Sequence, residues 1–283
     1  MDSLQLAGKL SPSLAGLAFL NDLDLSSNAF YGPIPRELKN LSNLNYLDLR
    51  SNSIPVEIGN LADLTTLFLG HNQLIGSIPK SLGLLHNLDA LILRNNKLEA
   101  KNAAEWLFLD GLTNCTRLRV LILENNYLGG ALPKSVANLS KFLVTLSLSD
   151  NYITGCIPAE IGRLVNLSRV DMSSSLLGGA IPASLGNLVK LVEIDLSRNL
   201  LAGEIPGSVG NITGLTSLIL ASNKLNGSVP SCLGKCQLAR LNLAANRSTG
   251  AVPKEIHSIS SLFIILNVSH NLLKDRCLQK LDT

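Results

Sequence analysis

The stretch Leu191–Gly203 reads LVEIDLSRNLLAG, and Glu204, Ile205 and Pro206 follow it. Leu191, Ile194 and Leu196 are apolar, Glu193 and Asp195 alternate with them, and Asn199 closes the run. Written as a template this is LxxLxLxxNxLxGxIP, and almost the whole chain is copies of it. The Asn slot recurs at Asn28, Asn52, Asn72, Asn96, Asn126, Asn151, Ser175, Asn199, Asn223, Asn246 and Asn271. Most steps between slots are 24 residues or within one of that, but the step to Asn72 is 20 and the step to Asn126 is 30.

Each slot has a physical job. Leu191, Ile194 and Leu196 place apolar groups on the inner side of a short strand, and Glu193 and Asp195 point the other way. Asn199 stands where the chain leaves the strand. A carboxamide offers two donors and an acceptor, so a buried Asn can satisfy loop backbone groups that no ladder reaches. Gly203 permits a backbone conformation or close approach denied to other residues, and Pro206 ends pairing by removing a donor. A fixed period of about 20–29 residues with this Leu and Asn spacing is the leucine-rich-repeat signature. One repeat cannot bury its own apolar face, so neighbours must stack into a solenoid.

The bulk numbers fit. Hydrophobic residues make up 46% of the chain and aromatic residues only 4%, which suits an aliphatic interior. The formal net charge is +3 with Lys and Arg scattered. No basic run alternates with aromatics, which argues against nucleic acid as a partner. No apolar run reaches the 18 or so residues of a membrane span. Of the five cysteines, Cys115 and Cys236 fall where other repeats carry Leu, as at Leu41 and Leu188, and read as small core hydrophobes. A Cys232–Cys236 bridge stays open, and an odd count leaves at least one thiol unpaired in a secreted chain. The histidines lie far from the cysteines in sequence and lack metal-ligand spacing, so no metal or other cofactor is expected.

Length alone allows one or two domains in 283 residues, and the unbroken period argues for one solenoid over 1–283. Residues 1–19 read as a partial N-terminal repeat, and no signal peptide or capping segment is expected within them. In the second repeat Pro55 comes three residues after Asn52, where a tighter turn with the strand kept is expected. Residues 97–117 form the insertion of a long repeat, in which Glu105, Trp106, Leu107 and Leu109 predict a short helix with Trp106 packed on the solenoid. Ser175 offers fewer groups than Asn and marks a local weak point in the column. The pattern fails over 275–283.

The half-motif LxGxIP, seen at Leu74–Pro79, Ile153–Pro158 and Leu201–Pro206, resembles the plant type of leucine-rich repeat. Three stretches narrow the resemblance: NNKLEAKNAAEWLFLDGLTNCTRLRVL (95–121), YLGGALPKSVANLS (127–140) and SSLFIILNVSHNLL (260–273). They are similar to ectodomains of plant receptor-like kinases of the immune class, which includes flagellin sensors and blight-resistance receptors. The resemblance covers essentially residues 1–274. It implies an α/β solenoid, a plant-type leucine-rich-repeat horseshoe of about eleven repeats with a parallel sheet on its concave face. It further implies a membrane receptor at the extracellular face of the plasma membrane, with a Cys-containing cap, a transmembrane helix and a cytoplasmic Ser/Thr kinase. This sequence has no Gly-rich phosphate loop, HRD or DFG triplet. The expectation is a non-enzymatic ligand-recognition domain in defence signalling, in truncated form, with a peptide or protein ligand, pathogen-derived, and a co-receptor ectodomain as partners. The alternatives are a secreted inhibitor of a pathogen polygalacturonase, which would carry Cys-paired caps, and a non-functional relic.

No catalytic constellation stands out. Asp24, Asp48, Asp171 and Asp195 sit one per repeat in one outward slot, and a carboxylate pair there reads as repeat consensus rather than as a glycosidase. The central outward column runs Asp24, Asp48, Phe68, Ile92, Ile122, Ser147, Asp171, Asp195, Ile219, Asn242 and Asn267. Three consecutive apolar residues, Phe68, Ile92 and Ile122, interrupt it, with Tyr46, Arg50, His71, Arg94 and Glu124 beside them. An apolar patch rimmed by polar groups marks an interaction site, and aromatic and Arg residues are typical hot spots. These eight residues are the expected ligand-binding set. Of eight N-x-S/T sequons, Asn40, Asn138, Asn166 and Asn211 fall before strands and are the expected glycan sites, whereas Asn246 belongs to the buried column.

Overall fold

The computed structural model describes residues 7–25, 29–30, 35–41, 43–48, 58–59, 61–72, 74–261 and 264–274. Asn28, Arg50, Asn52, Pro55, Cys277 and the tail 275–283 lie outside the described residues. The chain divides into two compact units, 1–153 and 154–283. Among the described residues, each unit carries three-residue strands that form a parallel sheet in chain order.

In the first unit the sheet strands are Asp22–Asp24, Tyr46–Asp48, Thr66–Phe68, Ala90–Ile92, Val120–Ile122 and Thr145–Ser147. Their middle residues, Leu23, Leu47, Leu67, Leu91, Leu121 and Leu146, are in register and buried. The slots behind them, Leu69, Leu93 and Leu123, are buried as well. The long repeat carries the α-helix Leu107–Leu112, which starts two residues later than the sequence pattern suggests. Before it, Asn102 Oδ1 accepts from the amides of Ala104 and Glu105, and Glu105 accepts from Lys101 N at 2.7 Å. That closed turn absorbs Glu105 and Trp106. Trp106 is 2% exposed, stacks on Phe108 at 5.5 Å and donates Nε1–H to the Gly129 carbonyl at 2.8 Å. Trp106 is thereby packed into the solenoid with its polar handle satisfied.

In the second unit the sheet strands are Arg169–Asp171, Glu193–Asp195, Ser217–Ile219, Arg240–Asn242 and Ile265–Asn267. Val170, Ile194, Leu218 and Leu241 form their buried middle column. Leu191 and Leu196 are buried as the alternation requires.

Opposite the strands, most repeats make a five-residue 3-10 turn, such as Lys80–Leu84 in the first unit and Ala183–Asn187, Gly207–Asn211 and Ser231–Lys235 in the second. The consensus proline does more than stop pairing. Pro206 has φ −66° and ψ 134°, and its carbonyl accepts from Val209 N at 3.0 Å, which starts the turn. Glycines inside these turns let the next turn approach: a Cβ on Gly186 would strike the Ser208 backbone. The preceding glycine slot has positive φ, for example 82° at Gly203 and 71° at Gly130.

The Asn column hydrogen-bonds between repeats. Asn126 Nδ2 donates to the carbonyls of Leu93 (3.0 Å) and Leu123 (3.1 Å), and its Oδ1 accepts from Leu98 N at 3.0 Å. Asn199 does the same with Met172 O, Leu196 O and Leu177 N. Ser175 occupies the same slot and is buried. The residue before each described column position has positive φ: His71, Asn95, Asn125, Asp150, Ser174, Arg198, Ser222, Ala245 and His270. Outside glycine this conformation is strained. It is held here because the turn's amides bond the next repeat, as His71 N does to Arg94 O at 2.8 Å. Cys115 and Cys236 are buried and free, and desolvation pushes both thiols up to about 11. No helix among the described residues is long and apolar enough to cross a membrane.

Candidate ligand-binding face

Parallel register turns residues 20 to 30 apart in sequence into neighbours on the outward sheet face of the first unit. Asp48, Phe68, Ile92, Ile122 and Ser147 are successive partners across the strands. Phe68, Ile92 and Ile122 are half-buried. Tyr46, one column over, packs its ring on Phe68 at 5.5 Å with a 59° tilt. Tyr46, Phe68, Gly70, His71, Ile92, Arg94 and Ile122 line a hollow of about 220 Å³. Six of the eight residues expected from the sequence are therefore brought together in it. Glu124 stands at its rim, and Arg50 lies outside the described residues.

The rim is polar and largely self-paired. Arg94 lies 3.6 Å from Glu124, with both side chains part-exposed. Glu124 also accepts from the Ser147 hydroxyl at 3.2 Å. Asn125 Nδ2 donates to Asn95 Oδ1 at 2.7 Å, and Asn95 Nδ2 lies 3.2 Å from the His71 ring. His71, Asn95 and Asn125 are the positive-φ residues of three successive repeats, so the strained turns line up one row of polar groups along the apolar column. Sequence reading missed Gly70, Asn95 and Asn125. The signal for Gly70 was present, since the matching slot holds Arg94, Glu124, Ser149, Ser173 and Ser197.

The second unit presents a different surface. Asp171 and Asp195 are in register, but each carboxylate is bound within its own repeat. Asp171 accepts from Ser173 N at 3.0 Å and its hydroxyl at 2.7 Å. Asp195 accepts from Ser197 N at 2.9 Å and its hydroxyl at 2.6 Å. Burial raises the Asp195 pKa, and the Ser197 bonds oppose this. These carboxylates close turns. Beside them Glu193 bridges Arg169 at 2.7 Å and Arg240 at 4.0 Å. Among the described residues no cluster of three or more His, Cys, Asp or Glu is placed to hold a metal ion.

Of the expected glycan sites, Asn40, Asn138 and Asn211 are exposed and each is the last residue of a 3-10 turn. Asn166 is half-buried and its Oδ1 accepts from Lys190 Nζ at 2.6 Å. Asn246 is 9% exposed and its amide bonds Leu220 O at 2.9 Å.

The Leucine Rich Repeat family model matches six times, at residues 19–41, 63–85, 117–139, 142–164, 190–212 and 214–236. A 72-residue segment is 36% identical to the receptor kinase-like protein Xa21 of Oryza sativa subsp. japonica, covering 25% of this chain and 7% of that protein. Among solved structures, the plant peptide hormone receptor RGFR1 in complex with RGF2 aligns with TM-score 0.77 and 31% identity over 100% of this chain and 53% of that one. The Arabidopsis receptor kinase HAESA, in complex with the peptide hormone IDA and the co-receptor SERK1, aligns with TM-score 0.77 and 30% identity over 95% of this chain and 49% of that one. The chain thus spans about half the length of these two ectodomains and a small fraction of the curated relative.

Proposed function

We propose that this chain, a leucine-rich-repeat solenoid similar to plant receptor-kinase ectodomains, is a non-enzymatic recognition domain that binds a peptide or protein outside the cell. The observation that carries the reading is the hollow bounded by Tyr46, Phe68, Ile92 and Ile122 on the outward sheet face of the first unit. An apolar depression with hydrogen-bonding groups along one side is what a side chain and its main chain require. The two solved neighbours hold peptide hormones, which supports a peptide as the ligand. A co-receptor ectodomain is the second proposed partner, as in the HAESA complex. The assignment to defence, with a pathogen-derived ligand, rests on the resemblance of residues 95–121, 127–140 and 260–273 to the immune class. Glycans at Asn40, Asn138, Asn166 and Asn211 would accompany passage through the secretory pathway.

The test is a selection of random peptides displayed on phage against the chain secreted from plant cells. Enriched peptides should bind the wild type, lose binding to Phe68→Asp and keep it with Ile219→Asp on the second unit's face. Peptides that bind Phe68→Asp as well as wild type, or no enrichment at all, would sink the reading. Deglycosylation of the secreted chain should lower its mass, and an unchanged mass would remove the glycan assignments.

A further inference from the structure

We infer that the ligand is anchored by one apolar side chain of phenylalanine or leucine size, and that Gly70 sets this preference by leaving the hollow open. The inference rests on the peptide-binding reading above and adds which part of the peptide the site selects. A volume of about 220 Å³ is below the 300–1,000 Å³ of sites that enclose a whole small molecule. At about 30 Å³ per water-sized group it holds about seven heavy atoms. A benzyl group has about seven heavy atoms and an isobutyl group about four, so one such side chain fits and the rest of the ligand stays outside.

The walls match such an occupant. Phe68 and Tyr46 present a tilted aromatic pair on one side, and Ile92 and Ile122 present branched aliphatic groups on the other. No carboxylate lines the hollow, and the Glu124 carboxylate at its rim is already held by Arg94 and Ser147. A cationic anchor would therefore lose its water without gaining a free carboxylate, and an acidic one would have to compete with Glu124 for Arg94. The row His71–Asn95–Asn125 runs alongside, where it can bond the peptide main chain without reading its sequence.

Gly70 decides the depth. Its φ is not in the left-handed region, so the backbone does not demand glycine there. A Cβ would lie 3.1 Å from Arg94 Cγ and 3.2 Å from Arg94 O, so any side chain displaces the Arg94 stem and enters the hollow. Every other repeat carries a side chain in this slot, if only the methyl of Ala221 and Ala244, and the depression lies at the one place in this unit where the slot is empty.

The experiment is the same displayed random-peptide library, sequenced after selection on three forms: wild type, Gly70→Leu and Ile92→Ala. On wild type, one position should be enriched for Phe, Leu, Ile or Met on the order of tenfold, about 1.4 kcal/mol. On Gly70→Leu that enrichment should vanish, with the fold checked by circular dichroism melting. Ile92→Ala enlarges the hollow, so its enriched residue should move to Trp or Tyr. This gain keeps the test decisive if the leucine variant fails to fold. Peptides that depend on Phe68 but share no apolar anchor would overturn this inference and leave the binding face standing. An anchor of unchanged size on Ile92→Ala would also overturn it. Failure to recover any Phe68-dependent peptide would overturn the binding face itself.

Discussion

The first unit's face and the second unit's face are built on the same three-residue strands, yet their central columns behave differently. Phe68, Ile92 and Ile122 leave apolar flanks open to solvent around a hollow. Asp171 and Asp195, in the same slot, turn back onto Ser173 and Ser197 and close their own turns. Beneath both faces the interior is alike: Asn126 and Asn199 make the same three kinds of bond, and Leu121 and Ile194 are both buried. The comparison teaches that the buried slots maintain the solenoid, while the outward slots are free to become either consensus turn chemistry or a recognition surface.

The largest expected effect tests whether the interiors are equivalent. Cys115 in the first unit and Cys236 in the second share a slot, and burial pushes both thiols to about 11 from 9.0. At pH 8 their thiolate fraction is about a hundredfold lower than that of an unperturbed thiol. Iodoacetamide should label exposed Cys156 in minutes and both buried thiols only on unfolding. Rapid labelling of one buried thiol would break the equivalence. Replacing Asn126 or Asn199 by Ala strands several buried backbone groups, and each change should cost about 2–3 kcal/mol in urea unfolding. A cost below about 0.5 kcal/mol at either position would show that the column is ornamental in that unit.

The faces should then part company. Phe68→Asp should weaken selected peptides by about 2 kcal/mol, roughly thirtyfold, because it places a charge in the centre of the patch. Ile219→Asp should change their affinity less than about twofold. Equal losses would mean that the peptide spans both faces. The smallest effect concerns Asp195. Its folded pKa is raised by burial above the ordinary 3.8. The carboxyl therefore favours the folded state most below 3.8, and that contribution is lost as pH rises through the folded value. Asp195→Asn should keep the turn, as Asn242 does by accepting from Ala244 N at 3.1 Å. It should melt no lower than wild type at pH 7, and its melting temperature should vary less with pH just above 3.8. A markedly lower melting temperature at pH 7 would show that the negative charge itself supports the turn.

Much of this was legible in the sequence because it repeats. The period placed one strand per repeat, and alternation placed Phe68, Ile92 and Ile122 in one outward column, as the strand register has them; the second strands, such as Tyr127–Ala131 and Leu200–Glu204, were not legible in it. The Gly slot announced a backbone conformation open to glycine, present at Gly203 with φ 82°, but the Pro slot announced only a stop to pairing and not the turn that Pro206 starts. Helix limits in the long repeat were harder to read. Nothing repeats there, and the Asn102–Glu105 turn takes up residues whose pattern looked helical.

Other features depended on neighbours a whole repeat away. His, Asn, Asp, Ser, Arg and Ala all occupy the left-handed position before the column residue, so composition carries no signal for it. Amide bonds to the next repeat impose that conformation, and only stacking supplies them. The sequence places Glu124 beside the patch without giving its partners, and Arg94 and Ser147 meet it in three dimensions. Local period and side-chain alternation thus determined the solenoid and the identity of its outward column. Only the tertiary structure decided that the missing side chain at Gly70 leaves a hollow, because depth depends on how Arg94 and Phe68 lie across it rather than on any spacing along the chain.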